Sequence, residues 1–170
     1  TTYSKLRIAR AWIQDLPGVP PLGFNYGSEF KDTVSLLQKK YDHDNRGSHG
    51  TSVSSVVAGS GIGSPNIKLD RGIAYESELV LVSTPQTYKD WREMNMTTII
   101  DGINYIFSYA QSVNKPAVIN ISMGSLLGAR DGGSLFAQSC DKLVGPGKIL
   151  VFCAMNEGNT KKHIGKSFTS

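Results

Sequence analysis

The sequence predicts an α/β fold in three layers, a mostly parallel sheet with helices on both faces. Three observations carry that prediction. The runs Glu78–Ser83, Pro116–Ser122 and Lys148–Ala154 are almost continuously apolar, as strands covered on both faces are. Segments with apolar residues at helical spacing alternate with these runs, which is the pattern of parallel sheets joined by helical crossovers. Two of the runs end in small polar turns, Ser122-Met123-Gly124-Ser125 and Met155-Asn156-Glu157, and open parallel sheets hold their ligands beyond such carboxyl ends.

Taken in order, Lys5–Ile13 alternates basic and apolar residues and predicts a strand with one wet face. Asp15–Gly27 carries three prolines and three glycines and predicts an irregular loop. Ser28 opens a short helix to about Tyr41, with Phe30, Val34, Leu36 and Leu37 apolar. Asp42–Gly47 is a polar turn; His43 between Asp42 and Asp44 reads as loop polarity rather than a metal site. His49 begins a second helix, with Val53, Val56 and Val57 behind it and Gly59 and Gly61 ending it. The glycines of Gly61–Asn66 follow a helix instead of a strand, so they do not form a dinucleotide-binding loop.

Glu78–Ser83 is a buried strand. Thr97 or Thr98 caps a helix to about Val113, whose inner stripe is Ile99, Ile100, Ile103, Ile106, Phe107, Ala110 and Val113. Pro116–Ser122 is the next strand. Gly132-Gly133-Ser134 leads into a helix through Leu143, Gly145-Pro146-Gly147 ends it, and Lys148–Ala154 is the last strand.

The chain has 170 residues, which bounds it to one domain or part of one, spanning 1–170. A net charge of +4, with no long basic block and no aromatic–basic interleaving, argues against nucleic-acid binding. No apolar run reaches membrane-spanning length and no signal peptide opens the chain, so no membrane partner is expected. Cys140 and Cys153 lie in apolar runs and read as buried free thiols. A start at Thr1 suggests a piece cut from something longer.

Four stretches, in one order along the chain, resemble motifs of the subtilisin-like serine peptidases, the subtilases. His49-Gly50-Thr51-Ser52-Val53 is similar to the family's histidine box. Gly72-Ile73-Ala74-Tyr75-Glu76-Ser77-Glu78-Leu79 is similar to its Gly-Val-Ala-Pro turn into a strand. Asn120-Ile121-Ser122-Met123-Gly124-Ser125 is similar to its substrate-binding strand, and Ala154-Met155-Asn156-Glu157-Gly158-Asn159 to its oxyanion-asparagine segment.

The resemblance implies an incomplete subtilisin-like catalytic domain, lacking both ends. His49 would be the general base and acid of a Ser-His-Asp triad, taking the serine proton and passing it to the leaving amine. Asn156 would donate its amide to the tetrahedral oxyanion. Ser122, Met123, Gly124 and Ser125 would pair with an extended peptide or protein substrate, and Ser122–Gly124 would form one wall of the primary specificity pocket.

Two family motifs are missing. No Asp-Thr-Gly or Asp-Ser-Gly turn precedes His49, and the neighbours of Asp15, Asp32, Asp42 and Asp44 do not fit one. No Gly-Thr-Ser-Met-Ala segment follows Asn156, and Met155 stands where the family has glycine. The isolated chain is therefore expected not to hydrolyse peptides. The alternative is a subtilase scaffold kept as a pseudopeptidase for binding or regulation.

In the family, the aspartate strand lies between the counterparts of Glu78–Ser83 and Pro116–Ser122. Its loss predicts a slot there, or forces those two strands together. The strand Lys148–Ala154 would be an exposed apolar edge through which the piece self-associates or holds a partner segment. No cofactor is read from the residues; calcium sites are common in the family, but none can be placed here. A secreted or periplasmic, bacterial origin is implied by the resemblance alone.

Overall fold

The computed structural model describes residues 6–39, 49–84, 95–124, 131–156 and 158–159. Five strands and four helices follow one another as β1 (Ile8–Ile13), β2 (Ser28–Phe30), α1 (Thr33–Gln38), α2 (His49–Ala58), β3 (Leu79–Ser83), α3 (Met96–Ser112), β4 (Ala117–Ile121), α4 (Leu135–Leu143) and β5 (Lys148–Phe152). The chain is a mixed α/β fold, in which β1 pairs with β3 and β4 with β5 in parallel.

The strands divide into two sheets, one ordered β2-β1-β3 and the other β4-β5. β2 is antiparallel to β1, with Ala11 opposite Phe30 and Ile13 opposite Ser28. The sequence predicts that residues 28–30 open a helix; they form this strand instead, and the helix is confined to α1. Asp32 sets that start, since its carboxylate accepts from the Ser35 amide at 2.9 Å as an N-cap.

Among the described residues no strand pairs in the gap between β3 and β4, which belong to separate sheets. β1 lies between β2 and β3, running parallel to β3 from Ile8 opposite Leu79 to Ile13 opposite Ser83. The pairing continues where the Gln14 amide donates to the Ser83 carbonyl at 3.0 Å. Trp12 explains why β1 is held so firmly. Its indole is fully buried and packs on Phe24, Tyr26 and Tyr105, with ring centroids 4.6, 5.2 and 5.2 Å away.

α3 joins the two sheets. Ile99, Ile103 and Phe107 recur every four residues and form one core with Ile119, Ile121 and Cys140. A second side of the helix carries Gly102 and Tyr105 toward β1 and β3. A Cβ on Gly102 would lie 3.2 Å from Val82 Cγ1, so the small residue lets helix and strand approach. The helix is buried on more than the single expected stripe, and Val113 at its end is partly exposed. Its N-cap is Asn95, just ahead of the expected threonines, accepting from the Thr97 amide at 3.0 Å.

The expectation of a buried β5 does not hold, since Ile149, Val151 and Phe152 are exposed, as is Val118 opposite Ile149 on β4. α3 covers the face of β4 that carries Ile119 and Ile121. The apolar face beyond it is open among the described residues. Cys140 is buried as expected, whereas Cys153 is exposed because it lies just past β5.

Candidate active site

The carboxyl ends of β3, β4 and β5 lie together. Thr84 Oγ1, just past β3, is 3.9 Å from Met123 Sδ, just past β4. The Cys153 amide, just past β5, donates to the Ile121 carbonyl at 3.3 Å.

His49 reaches this rim from α2. Its position is set at the far end of the helix, where the last carbonyls need partners. The Ile73 and Ala74 amides donate to the carbonyls of Val56 and Val57 at 3.2 and 2.7 Å, and the Arg7 guanidinium donates to that of Ala58. Arg7 also donates to the Ser77 carbonyl at 3.0 Å, tying β1, α2 and the approach to β3 together. Gly72 makes the crossing feasible, since a Cβ there would lie 2.6 Å from the amide nitrogens of Ala58 and Gly59. The stretch Gly72–Ala74 is thus the clamp on α2. The valines expected to pack the helix contribute little; Val56 is 70% exposed and only Ala58 is buried.

At the other end of α2, His49 Nε2 lies 3.1 Å from the Ser122 carbonyl, across 73 residues of chain. A carbonyl can only accept, so in this contact Nε2 carries the proton. The Asn120 amide donates to Ser122 Oγ at 3.0 Å and steadies the same turn.

Gly124 then meets the segment after β5. A Cβ built on Gly124 would collide with Met155 Sδ, so the thioether lies against the glycine's Cα. Asn156 follows Met155 directly and is exposed. His49 thus meets Ser122 and, two residues on, Gly124 meets Met155, the residue before Asn156. From Ser122 to Gly124 the chain can span only about 7 Å. Ser125, the remaining residue of the expected substrate segment, and Glu157 lie outside the described residues, as do His43, Asp42 and Asp44.

Sequence reasoning missed a polar cluster at the carboxyl end of β1. Gln14 is 2% exposed; its Nε2 donates to the Thr98 carbonyl at 2.8 Å, and its Oε1 has no hydrogen-bond partner among the described residues. Tyr26 Oη, beside it, donates to Asp101 at 2.7 Å. Burial, and then the Asp101 carboxylate, push the Tyr26 phenol well above its ordinary pKa. A cleft of about 380 Å³ opens next to Gln14, Asp15 and Tyr26. A glutamine directly after the apolar run Ala11-Trp12-Ile13 was the available signal. Among the described residues, no group of three or more His, Cys, Asp or Glu could hold a metal ion, and no helix is long and apolar enough to cross a membrane.

The profile of the subtilase family matches residues 24–168. Among solved structures, the chain is similar to the CspB protease of Clostridium perfringens, with a TM-score of 0.68 at 24% identity. That match covers 90% of this chain and 32% of the other, so the chain spans about a third of that protease's length. No curated protein matches the sequence.

Proposed function

Because this chain belongs to the subtilase family, we propose that it is part of a serine endopeptidase domain in which His49 is the general base and Asn156 the oxyanion donor. Ser122–Ser125 receives an extended peptide. The observation that carries this reading is the contact of His49 Nε2 with the Ser122 carbonyl at 3.1 Å, which sets the imidazole on the segment where substrate would pair.

The chemistry asks for two things from these residues. The imidazole must accept a proton at Nε2, so it must first release the Ser122 carbonyl and carry its own proton on Nδ1. The carbonyl is then free to accept an amide of the incoming peptide. A neutral carboxamide at Asn156 would stabilise charge that develops only in the transition state.

The nucleophile and the carboxylate come from residues that this sequence does not contain in the family's form. β1 stands on the side of β3 away from β4, so it does not take the place that the resemblance gives the aspartate strand. The second reading, a pseudopeptidase that binds peptides without cleaving them, rests on the family's Asp-Thr-Gly or Asp-Ser-Gly turn and Gly-Thr-Ser-Met-Ala segment not occurring in these 170 residues.

The two readings separate on hydrolysis of an unstructured protein by the longer polypeptide that carries this chain. The peptidase reading expects turnover that His49→Ala abolishes and that Asn156→Ala lowers about 10²–10³-fold, the loss measured in subtilisin itself for its own oxyanion donor. Turnover that His49→Ala leaves intact would overturn it. Saturable peptide binding without turnover would establish the pseudopeptidase. The isolated chain is expected to resist serine-directed covalent labelling and to self-associate through β5.

A further inference from the structure

Met155 is held in a conformation that its residue type does not favour. Its φ is 69°, in the left-handed region; Asn114, at 52°, is the other non-glycine residue there among those described. Asparagine tolerates that region through local hydrogen bonding, whereas methionine has no such compensation. A backbone held this way must be fixed by its surroundings, and such positions cluster where a side chain is being aimed.

Here the aim is visible. Met155 Sδ lies over the Cα of Gly124, with Cγ and Cε 3.3 and 3.6 Å from where a Cβ on Gly124 would stand. Met155 is half-buried, between solvent and that glycine. A peptide pairing with the backbone of Ser122–Gly124 would bring a side chain toward the surface that the thioether already covers.

We propose that Met155 determines specificity: its thioether fills the floor of the pocket at Gly124, so that only a small residue, glycine, alanine or serine, is accepted before the scissile bond. The inference rests on the reading of Ser122–Gly124 as the peptide-binding segment. The occlusion works by exclusion: large side chains clash with the thioether, while small ones fit without any added attraction.

The test compares peptides that differ only at that residue, alanine against phenylalanine, on the longer polypeptide and its Met155→Gly form. Glycine also relieves the left-handed φ, so the backbone is not put at risk; Met155→Ala, which keeps the strain but shortens the side chain, is the second variant. The ratio of kcat/KM for phenylalanine to alanine is expected to rise about 100-fold in Met155→Gly, within the range that pocket volume commands, and by less in Met155→Ala.

The methyl NMR signal of Met155 gives a readout that needs no turnover. It is expected to shift on addition of the alanine peptide and to stay in place with the phenylalanine peptide. An unchanged ratio, or equal shifts with both peptides, overturns the proposal. A switched ratio alongside turnover that survives His49→Ala would sink the catalytic assignment and leave Met155 standing. No shift and no cleavage with any peptide would remove both.

Discussion

His49 and Ser122 show how much a single contact decides. The Ser122 carbonyl can only accept, so it holds a proton on Nε2 of the imidazole. Nitrogen-15 NMR of the imidazole is expected to report a protonated Nε2; an unprotonated Nε2 would contradict the contact. The two cysteines offer a second reading at this scale. Burial, and then the neighbouring Asp141 carboxylate, raise the Cys140 thiol above its ordinary pKa, while Cys153 is exposed. Under mildly alkaline conditions a thiol reagent is expected to label Cys153 quickly and Cys140 only on unfolding; equal rates would count against the assigned burial.

Three tyrosines donate to carboxylates, Tyr26 to Asp101, Tyr105 to Glu29 and Tyr109 to Glu78. Burial raises each phenol, and in Tyr105 the Glu29 charge adds to it. A raised pKa means that the folded chain holds the proton more tightly than the unfolded chain. The stabilisation is therefore full below the unfolded value near 10 and is lost as pH climbs from there toward the folded values. Urea midpoints are expected to fall in strongly alkaline solution, and less steeply in Tyr26→Phe. The same slope in both would argue that Tyr26 is not a source of the effect.

Among the elements, α2 and α3 carry the site by different means. α2 is nearly bare of packing and is held at its end by the amides of Ile73 and Ala74 and by Arg7. Gly72→Ala would force a Cβ to 2.6 Å from two backbone nitrogens, so the strand of chain that clamps the helix must move. It is expected to destabilise the fold and loosen His49, by about 1–3 kcal/mol as overpacking typically costs; an unchanged denaturation midpoint would contradict the clamp. α3 is held by packing. Ile103 is 1% exposed in the core with Ile119, Ile121 and Cys140, and Ile103→Ala is expected to cost about 2–5 kcal/mol in chemical denaturation. A loss below about 1 kcal/mol, the range of surface substitutions, would place Ile103 outside the core.

The same contrast explains what could be read beforehand. α3 declared itself through periodicity, and β3, β4 and α4 through apolar runs and the turns that bound them, although β3 is only partly buried and β4 buries the single face of Ile119 and Ile121. β2 did not, because three residues of strand are stabilised by pairing with β1 and by the Trp12 cluster, neither of which is local. Val53, Val56 and Val57 suggested a packed α2, but helical spacing cannot reveal whether anything lies against the helix. At the rim, the histidine, the Ser122–Gly124 turn and Asn156 were recognisable as motifs. The bond from His49 to Ser122, the thioether on Gly124 and the buried Gln14 were not, since each depends on which distant strand ends are brought together.

For the molecule as a whole, the central fact is the division into two sheets bridged by α3. It leaves Val118, Ile149 and Val151 on an exposed face of β4–β5, with β5 at the edge. Edges and apolar faces of this kind pair with further chain. Sedimentation of the isolated chain is expected to show concentration-dependent association that Val151→Lys weakens; a clean monomer at high concentration would contradict it.

The account stands on His49 and Asn156 facing one peptide-binding rim. The most direct measurement is an NMR titration with an extended peptide ending in alanine, following the His49 ring, the Gly124 amide and the Asn156 side-chain amide together. The account predicts that all three signals move with a single dissociation constant. Movement of His49 without Asn156, or with a different constant, would contradict it.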